Sequence, residues 1–309
     1  MHLSTQNGIA SNSAARQLRD LLAKESPLLA AGVFDALSSR IAEDVGYKAL
    51  HLGGFALESA LLGRPDIGLL TLTELADQVS RITAAVDVPL IVDVDTGFGG
   101  VHNVARTVFQ LERAGAAGLH IEDQALPKKC PLLDGRELVP LDAAVNRIKA
   151  ALEARRDPDF LIIARCDGDA VSYDELVRRS NLYLEAGADM VLPMLMEHNG
   201  QRIHTYSAEE QLVIHRQLVR DIRGPLLNVM IPPGKSCTDM ADAGYAMVSM
   251  PMVSQQAAAN AMYAVLTEAL TNGTGENYLK GNAQFVSDPT RVMDLMKIKN
   301  FIAFEQKYG

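Results

Sequence analysis

A chain of 309 residues, 48% hydrophobic and 22% charged, can bury a large core, and nothing in its composition suggests disorder or a fibre. Its net charge of −9 argues against general attraction to nucleic acid or anionic membranes, both of which reward Lys/Arg-rich surfaces. An anionic small substrate would therefore need a local positive site or a metal. The opening stretch "MHLSTQNGIASNSAARQLRD" lacks the basic start and apolar core of a signal peptide, and no later run is apolar enough to span a bilayer, so a cytoplasmic protein is expected. Cys130, Cys166 and Cys237 are widely spaced without a CxxC pair, and each is expected as a free thiol.

Eight aliphatic runs alternate with segments of helical period. In chain order they are "PLLAAGV", "KALHLGG", "VPLIVDVD", "AGLHIED", "DFLIIAR", "ADMVLPM", "GPLLNVM" and "YAMVSMP". Between them, helices are predicted over 72–86, 101–114, 141–156, 173–186 and 208–222. Strands apolar on both faces and separated by helices imply a parallel sheet. A weak repeat supports this: Gly46, Gly115, Gly187 and Gly244 each follow a helix and precede a strand, where glycine accepts the left-handed backbone. Eight βα units in about 250 residues is the size of a TIM barrel, and no glycine-rich phosphate turn follows the first strand. The fold class predicted is α/β, a single (β/α)8 TIM barrel domain over residues 1–309 with a C-terminal helical extension from about 279 to 309.

Active sites of such barrels lie at the C-terminal ends of the strands. There the sequence places Asp35, Gly53 and Gly54, Asp93 and Asp95, Glu122 and Asp123, Arg165, Asn228 and Ser249. Asp35 reads equally as a helix N-cap. Asp93, Asp95 and Glu122 would bring three carboxylates into one mouth, where like charges raise one another's pKa unless a cation intervenes. Oxygen ligands without histidine or thiolate suit Mg²⁺, with Mn²⁺ as the alternative.

The run "HIEDQALPKKCPLLDGRE" starts as a strand and continues as a long loop before the next helix. Such a loop is the usual place for an active-site lid. Two lysines beside Cys130 would lower its pKa and favour thiolate; the alternative is a solvated basic loop with an incidental thiol.

On "VDVDTGFGG", "HIEDQ", "PKKC" and "LIIAR", supported by "VFDALSSRIAEDVGYKAL" and "AGADMVLP", the sequence resembles the isocitrate lyase/phosphoenolpyruvate mutase superfamily over most of its length, nearest the 2-methylisocitrate lyase and dimethylmalate lyase group. The resemblance implies a barrel whose last helix is exchanged between subunits, a homotetramer, Mg²⁺, and carbon–carbon cleavage of a substituted 2-hydroxy di- or tricarboxylate to a 2-oxo acid and a second acid. It implies Asp93 as direct metal ligand, with Asp95 and Glu122 reaching the ion directly or through water. Arg165 would grip a substrate carboxylate, the backbone of Gly53 and Gly54 would hold the 2-oxo acid part, and Asp66 would be an acid of the mouth. Lys129 lies in the gating loop and Cys130 takes the place of the catalytic acid, while Met194 would face the substrate; Asn228 is a substrate-binding candidate from its place at a strand end alone. Three positions depart from the family pattern: Pro131 and Leu132 replace Gly-His, Gly53 replaces serine, and Met194 replaces glutamate. The altered end should accept a less polar substrate tail. Other expectations the resemblance leaves open are a 2-oxo acid decarboxylase or hydrolase, phosphonopyruvate-type chemistry, and a homologue without turnover.

Overall fold

The computed structural model of the chain describes residues 13–281 and 289–309. Residues 1–12 of the opening stretch and residues 282–288 of the C-terminal extension lie outside the described residues.

Every aliphatic run forms a strand: β1 Leu28–Val33, β2 Ala49–Leu52, β3 Leu90–Asp93, β4 Gly118–Glu122, β5 Leu161–Cys166, β6 Met190–Pro193, β9 Leu227–Asn228 and β10 Met247–Met250. A two-stranded antiparallel hairpin, β7 Glu197–His198 with β8 Gln201–Arg202, comes after β6; two-residue strands leave no periodic signal, and the sequence reading missed it. The eight strands read from the aliphatic runs pair in parallel in the order β6-β5-β4-β3-β2-β1-β10-β9. The sheet closes on itself where Val191 bridges Leu226 and the Val191 N–H donates to the Pro225 carbonyl at 3.0 Å.

The period of two along the strands separates two cores. One side chain of each pair, such as Leu50, Val92, Leu119 and Ile162, packs outward beneath the helices. The alternate set, among them Ala30, Ala49, Ile91 and Ile163, fills the barrel interior. The predicted helices form as α4 Leu72–Ala85, α5 Val101–Arg113, α6 Leu141–Ala154, α7 Tyr173–Glu185 and α8 Ala208–Asp221, and a shorter α9 Cys237–Ala243 precedes β10. Gly46, Gly115, Gly187 and Gly244 all take positive φ. Asp35 is the N-cap of α2 Ala36–Val45, accepting from the Ser38 N–H at 2.7 Å, so its role is helix initiation.

The floor of the barrel is stopped by α1 Ala14–Lys24. Leu18 is fully buried in the interior core, and Leu21 and Leu22 pack against it. Arg19 anchors the stopper by donating to the Asp159 carbonyl at 2.8 Å and to Asp189 at 2.9 Å, at the chain segments that enter β5 and β6. Truncating a fully buried leucine such as Leu18 costs about 2–5 kcal/mol.

Beyond β10 the chain continues as helices α10 Val253–Asn272, α11 Glu276–Gly281, α12 Pro289–Leu295 and α13 Ile298–Tyr308. None of the residues of α10 or α13 is buried. No helix among the described residues is long and apolar enough to cross a membrane.

Candidate active site

Toward the C-terminal ends of the strands the barrel interior changes from aliphatic to polar. The inward phase of β2, β3, β4, β5 and β10 ends in His51, Asp93, His120 with Glu122, Arg165 and Ser249. Above them lies a cavity that opens to solvent at the C-terminal end of the barrel. Of the residues singled out from the sequence, Gly53, Gly54, Asp66 and Asp93 line it on one side, and Cys130, Arg165 and Met194 complete the wall.

Gly53 and Gly54 start α3 Gly54–Leu62 without a side-chain cap, so the N–H groups of its first turn face the cavity lined by Gly53, Gly54, Phe55 and Ala56. The Gly54 N–H donates to Asp93 Oδ2 at 3.1 Å. Space is tight at this turn: a Cβ on Gly54 would lie 3.3 Å from Asp93 Oδ2 and 3.4 Å from Asp95 Oδ1, and one on Gly53 3.1 Å from the Pro251 side chain.

Asp93 Oδ1 accepts from the Asp95 N–H at 3.1 Å, which curls the chain so that Asp95 adopts a positive φ of 48°. Burial works against ionisation of Asp93, but His120, Arg165, Lys128 and the Gly54 N–H outweigh it and hold the carboxyl well below its usual range. Burial, reinforced by Asp93, pushes Asp95 up to about 6. Burial also raises Glu122, which stands 2.9 Å from an Arg165 nitrogen without hydrogen-bond alignment. Arg165 is fixed by its Nε and Nη2 donating to Asp167 at 2.9 and 3.2 Å.

The loop over 124–139 covers this mouth. Gln124 shapes it, accepting from the Lys129 N–H at 2.9 Å and donating to the Lys129 carbonyl at 3.0 Å. Arg136 ties it down through a fork of 2.9 Å bonds to Asp167 and Asp169. The lysine that enters the site is Lys128, not Lys129. Lys128 is buried between Asp66, with which it forms an ion pair, and Asp95, 2.7 Å away. Lys129 holds the loop by its backbone, and its side chain runs toward Gly135 outside the cavity.

Two further expectations are corrected. Cys130 is buried, and burial, with Asp66 adding to it, pushes its thiol up to about 11 against the weaker opposite pull of Lys128. It is a thiol, not a thiolate. Asn228 does not line the cavity; its Oδ1 accepts from the Met230 N–H at 3.0 Å, so it shapes the wall from behind. Asp123 likewise points away, accepting from Tyr183 Oη at 2.6 Å and the Asp167 N–H at 2.8 Å.

The sequence reading gave no role to the imidazoles. His51 Nδ1 lies 2.8 Å from Ser249 Oγ, His51 Nε2 lies 2.8 Å from His120 Nε2, and His120 Nδ1 lies 3.5 Å from Asp93 Oδ1. Because Asp93 is anionic, the favourable arrangement has His120 carrying its proton on Nδ1 and accepting from His51 at Nε2. His51 could have been found from its inward phase, two residues before Gly53.

Among the described residues no three His, Cys, Asp or Glu side chains stand as a ready-made metal cage. The chemistry of the cluster nevertheless suits Mg²⁺, which keeps several waters and takes one or two carboxylates. Both carboxylate oxygens of Glu122 and Oδ1 of Asp95 are buried without a hydrogen bond. Asp66, Asp93, Asp95 and Glu122 outnumber the cations Lys128 and Arg165 among them, an excess of negative charge that a divalent ion would balance.

Fold and site together define a (β/α)8-barrel enzyme with a cluster of carboxylates, Lys128 and Arg165 at the C-terminal ends of its strands. Residues 18–270 match the phosphoenolpyruvate phosphomutase family. The chain is 41% identical to 2-methylisocitrate lyase of Aeropyrum pernix, over 85% of this chain and 82% of that protein. It is 34% identical to 2,3-dimethylmalate lyase of Eubacterium barkeri, over 96% of this chain and 99% of that one. Among solved structures, phosphonopyruvate hydrolase in complex with oxalate and Mg²⁺ superposes with a TM-score of 0.81 at 28% identity, covering 96% of this chain and 99% of the other. The chain belongs to the phosphoenolpyruvate mutase/isocitrate lyase superfamily. Within it, it is a carbon–carbon lyase.

Proposed function

We propose that the enzyme cleaves a substituted 2-hydroxy dicarboxylate to a 2-oxo acid and a second carboxylic acid, with Mg²⁺ held by Asp93 and, directly or through water, by Asp95 and Glu122. The ion would supply Lewis-acid polarisation of the 2-oxygen. Arg165, locked by Asp167, fixes a substrate carboxylate, and the N–H groups at the start of α3 receive the other. Breaking the C2–C3 bond turns the 2-hydroxyl into a carbonyl as its proton passes to a carboxylate of the mouth, for which Asp95, with its pKa pushed up to about 6, is suited, and places an electron pair on C3. Cys130 protonates that carbon. The observation that carries the reading is the buried, protonated Cys130 thiol on the same cavity as Asp93 and Arg165, since a general acid must hold its proton until the bond breaks.

We further infer a cytoplasmic homotetramer, because α10 and α13 leave Tyr263, Leu266, Leu270 and Phe301 exposed in a pattern that subunit contact, including exchange of the last helix, would cover.

The test is a coupled assay for release of pyruvate or glyoxylate from a panel of 2-hydroxy di- and tricarboxylates with and without Mg²⁺. Metal-dependent release is expected. Absence of release from every member, in a protein that still binds Mg²⁺, would refute catalysis.

A further inference from the structure

The cavity is chemically divided. Its polar side is built by β3, β4 and β5 and the start of α3. Its other side is built by the segments that leave β6, β9 and β10: Met194, Met196, Val229, Met230 and Met252, with Leu132 of the covering loop above. Arg165 is the one Lys or Arg among the residues that line it, and Asp167 and Glu122 already engage it.

We propose that the carbon protonated after cleavage carries a hydrocarbon chain longer than methyl, which makes the substrate class the 2-hydroxy-3-alkyl dicarboxylates and rejects tricarboxylates. This rests on the lyase reading above and sharpens it. The two carboxylates of such a substrate find the α3 N-terminus with the metal-binding acids and Arg165. A third carboxylate would have to enter a wall of thioethers and aliphatic groups with no cation to meet it, and an ionised group buried without a partner is strongly disfavoured.

The wall combines a fixed backbone with adaptable side chains. The Met194 N–H donates to the Cys166 carbonyl at 2.9 Å, and the Met196 N–H to Asp169 at 2.7 Å, itself clamped by Arg136. The side chains in contrast are unbranched thioethers that repack around different shapes. A site so lined favours an alkyl chain over a polar tail and tolerates a range of lengths.

The experiment compares kcat/KM for a series of 2-hydroxy-3-alkylsuccinates, from methyl to pentyl, with kcat/KM for 2-methylisocitrate, at saturating Mg²⁺. Expected is a rise of up to about fourfold per added methylene until the cavity is full, the value of burying one such group, and at least a tenfold preference over the tricarboxylate. Met194→Arg should reverse the order by offering the third carboxylate a partner. A preference of the unaltered enzyme for 2-methylisocitrate, or indifference to chain length, would overturn the inference and leave the lyase reading standing. Calorimetry of hexanoate and succinate with the unaltered enzyme, Mg²⁺ and glyoxylate decides independently of turnover. Tighter hexanoate supports the alkyl pocket, and tighter or equal succinate refutes it, whereas failure of every compound to be cleaved strikes only the lyase reading.

Discussion

Lys128 Nζ lies 2.7 Å from Asp95 Oδ1 while the same ammonium is paired with Asp66, so a loop residue supplies the counter-charge to acids that come from two other βα units. Burial works against its charge, but Asp95, Glu122 and Asp66 keep it protonated. Lys128→Met should therefore cut kcat/KM by roughly 10²-fold or more, the usual scale for losing a charged group in a closed site. Lys129→Met should leave kcat/KM within about threefold of the starting value, since only its backbone takes part. Steady-state kinetics of the two variants side by side check the assignment, and equal losses would refute it.

Asp93 accepts the N–H groups of both Gly54 and Asp95, and it is the strand-end carboxylate most firmly held ionised. Asp93→Asn is expected to weaken Mg²⁺ binding by at least about tenfold, and EDTA should abolish turnover of the parent enzyme reversibly. Calorimetric titration with Mg²⁺ measures the first effect directly. Unchanged affinity would remove Asp93 from the metal site.

A thiol pushed up to about 11 by burial is almost wholly protonated at neutral pH. Iodoacetamide should consequently modify Cys130 more slowly than a free cysteine at pH 7, with the rate still climbing above pH 9. Cys130→Ser should lower kcat by roughly 10²–10⁴-fold without changing Mg²⁺ affinity, the range of a general-acid contribution. Mass spectrometry of alkylation against pH, with kcat of the variant, tests both halves.

Arg136 joins the covering loop to Asp167 and Asp169, the first of which also orients Arg165. Arg136→Met leaves two buried carboxylates short of a partner, and the loss expected is about 3–5 kcal/mol. Urea denaturation gives the stability, and hydrogen exchange over 124–139 should show faster opening of that loop in the variant than in the parent.

His215 of α8 is buried with its Nδ1 2.7 Å from Tyr245 Oη, and burial lowers its pKa from the ordinary 6.5 to about 4. The unfolded chain thus binds a proton that the folded chain refuses. Its contribution to stability is complete above pH 6.5 and is lost as the pH falls from there toward 4. His215→Gln should flatten the fall in Tm between pH 6.5 and 4 relative to the parent; identical slopes would refute the linkage.

The eight strands and the helices around them were legible because apolar period and helix-ending glycines are local properties that tertiary packing here reinforces. Asp93, Arg165 and Gly54 were legible as residues of one mouth because strand ends of a barrel must converge, whereas Asp66 and Cys130, which lie on loops, were placed there only by the family resemblance. The loop defeated the reading at the level of single side chains. Nothing periodic decides whether Lys128 or Lys129 turns inward; Gln124 decides it by folding the chain back on itself, a contact between residues with no shared element. The state of Cys130 was misjudged for a related reason: adjacency in sequence suggested two cations beside the thiol, whereas in space one is spent on Asp66 and Asp95 and burial prevails. Asn228 ends a strand, yet its side chain is taken up by the Met230 N–H.

With Leu18, Leu21 and Leu22 of α1 corking the lower end of the barrel, the cavity lies at the upper end, beneath the loop that carries Cys130. A reaction that makes two molecules from one in such a place sends both products out past the residue that protonates one of them.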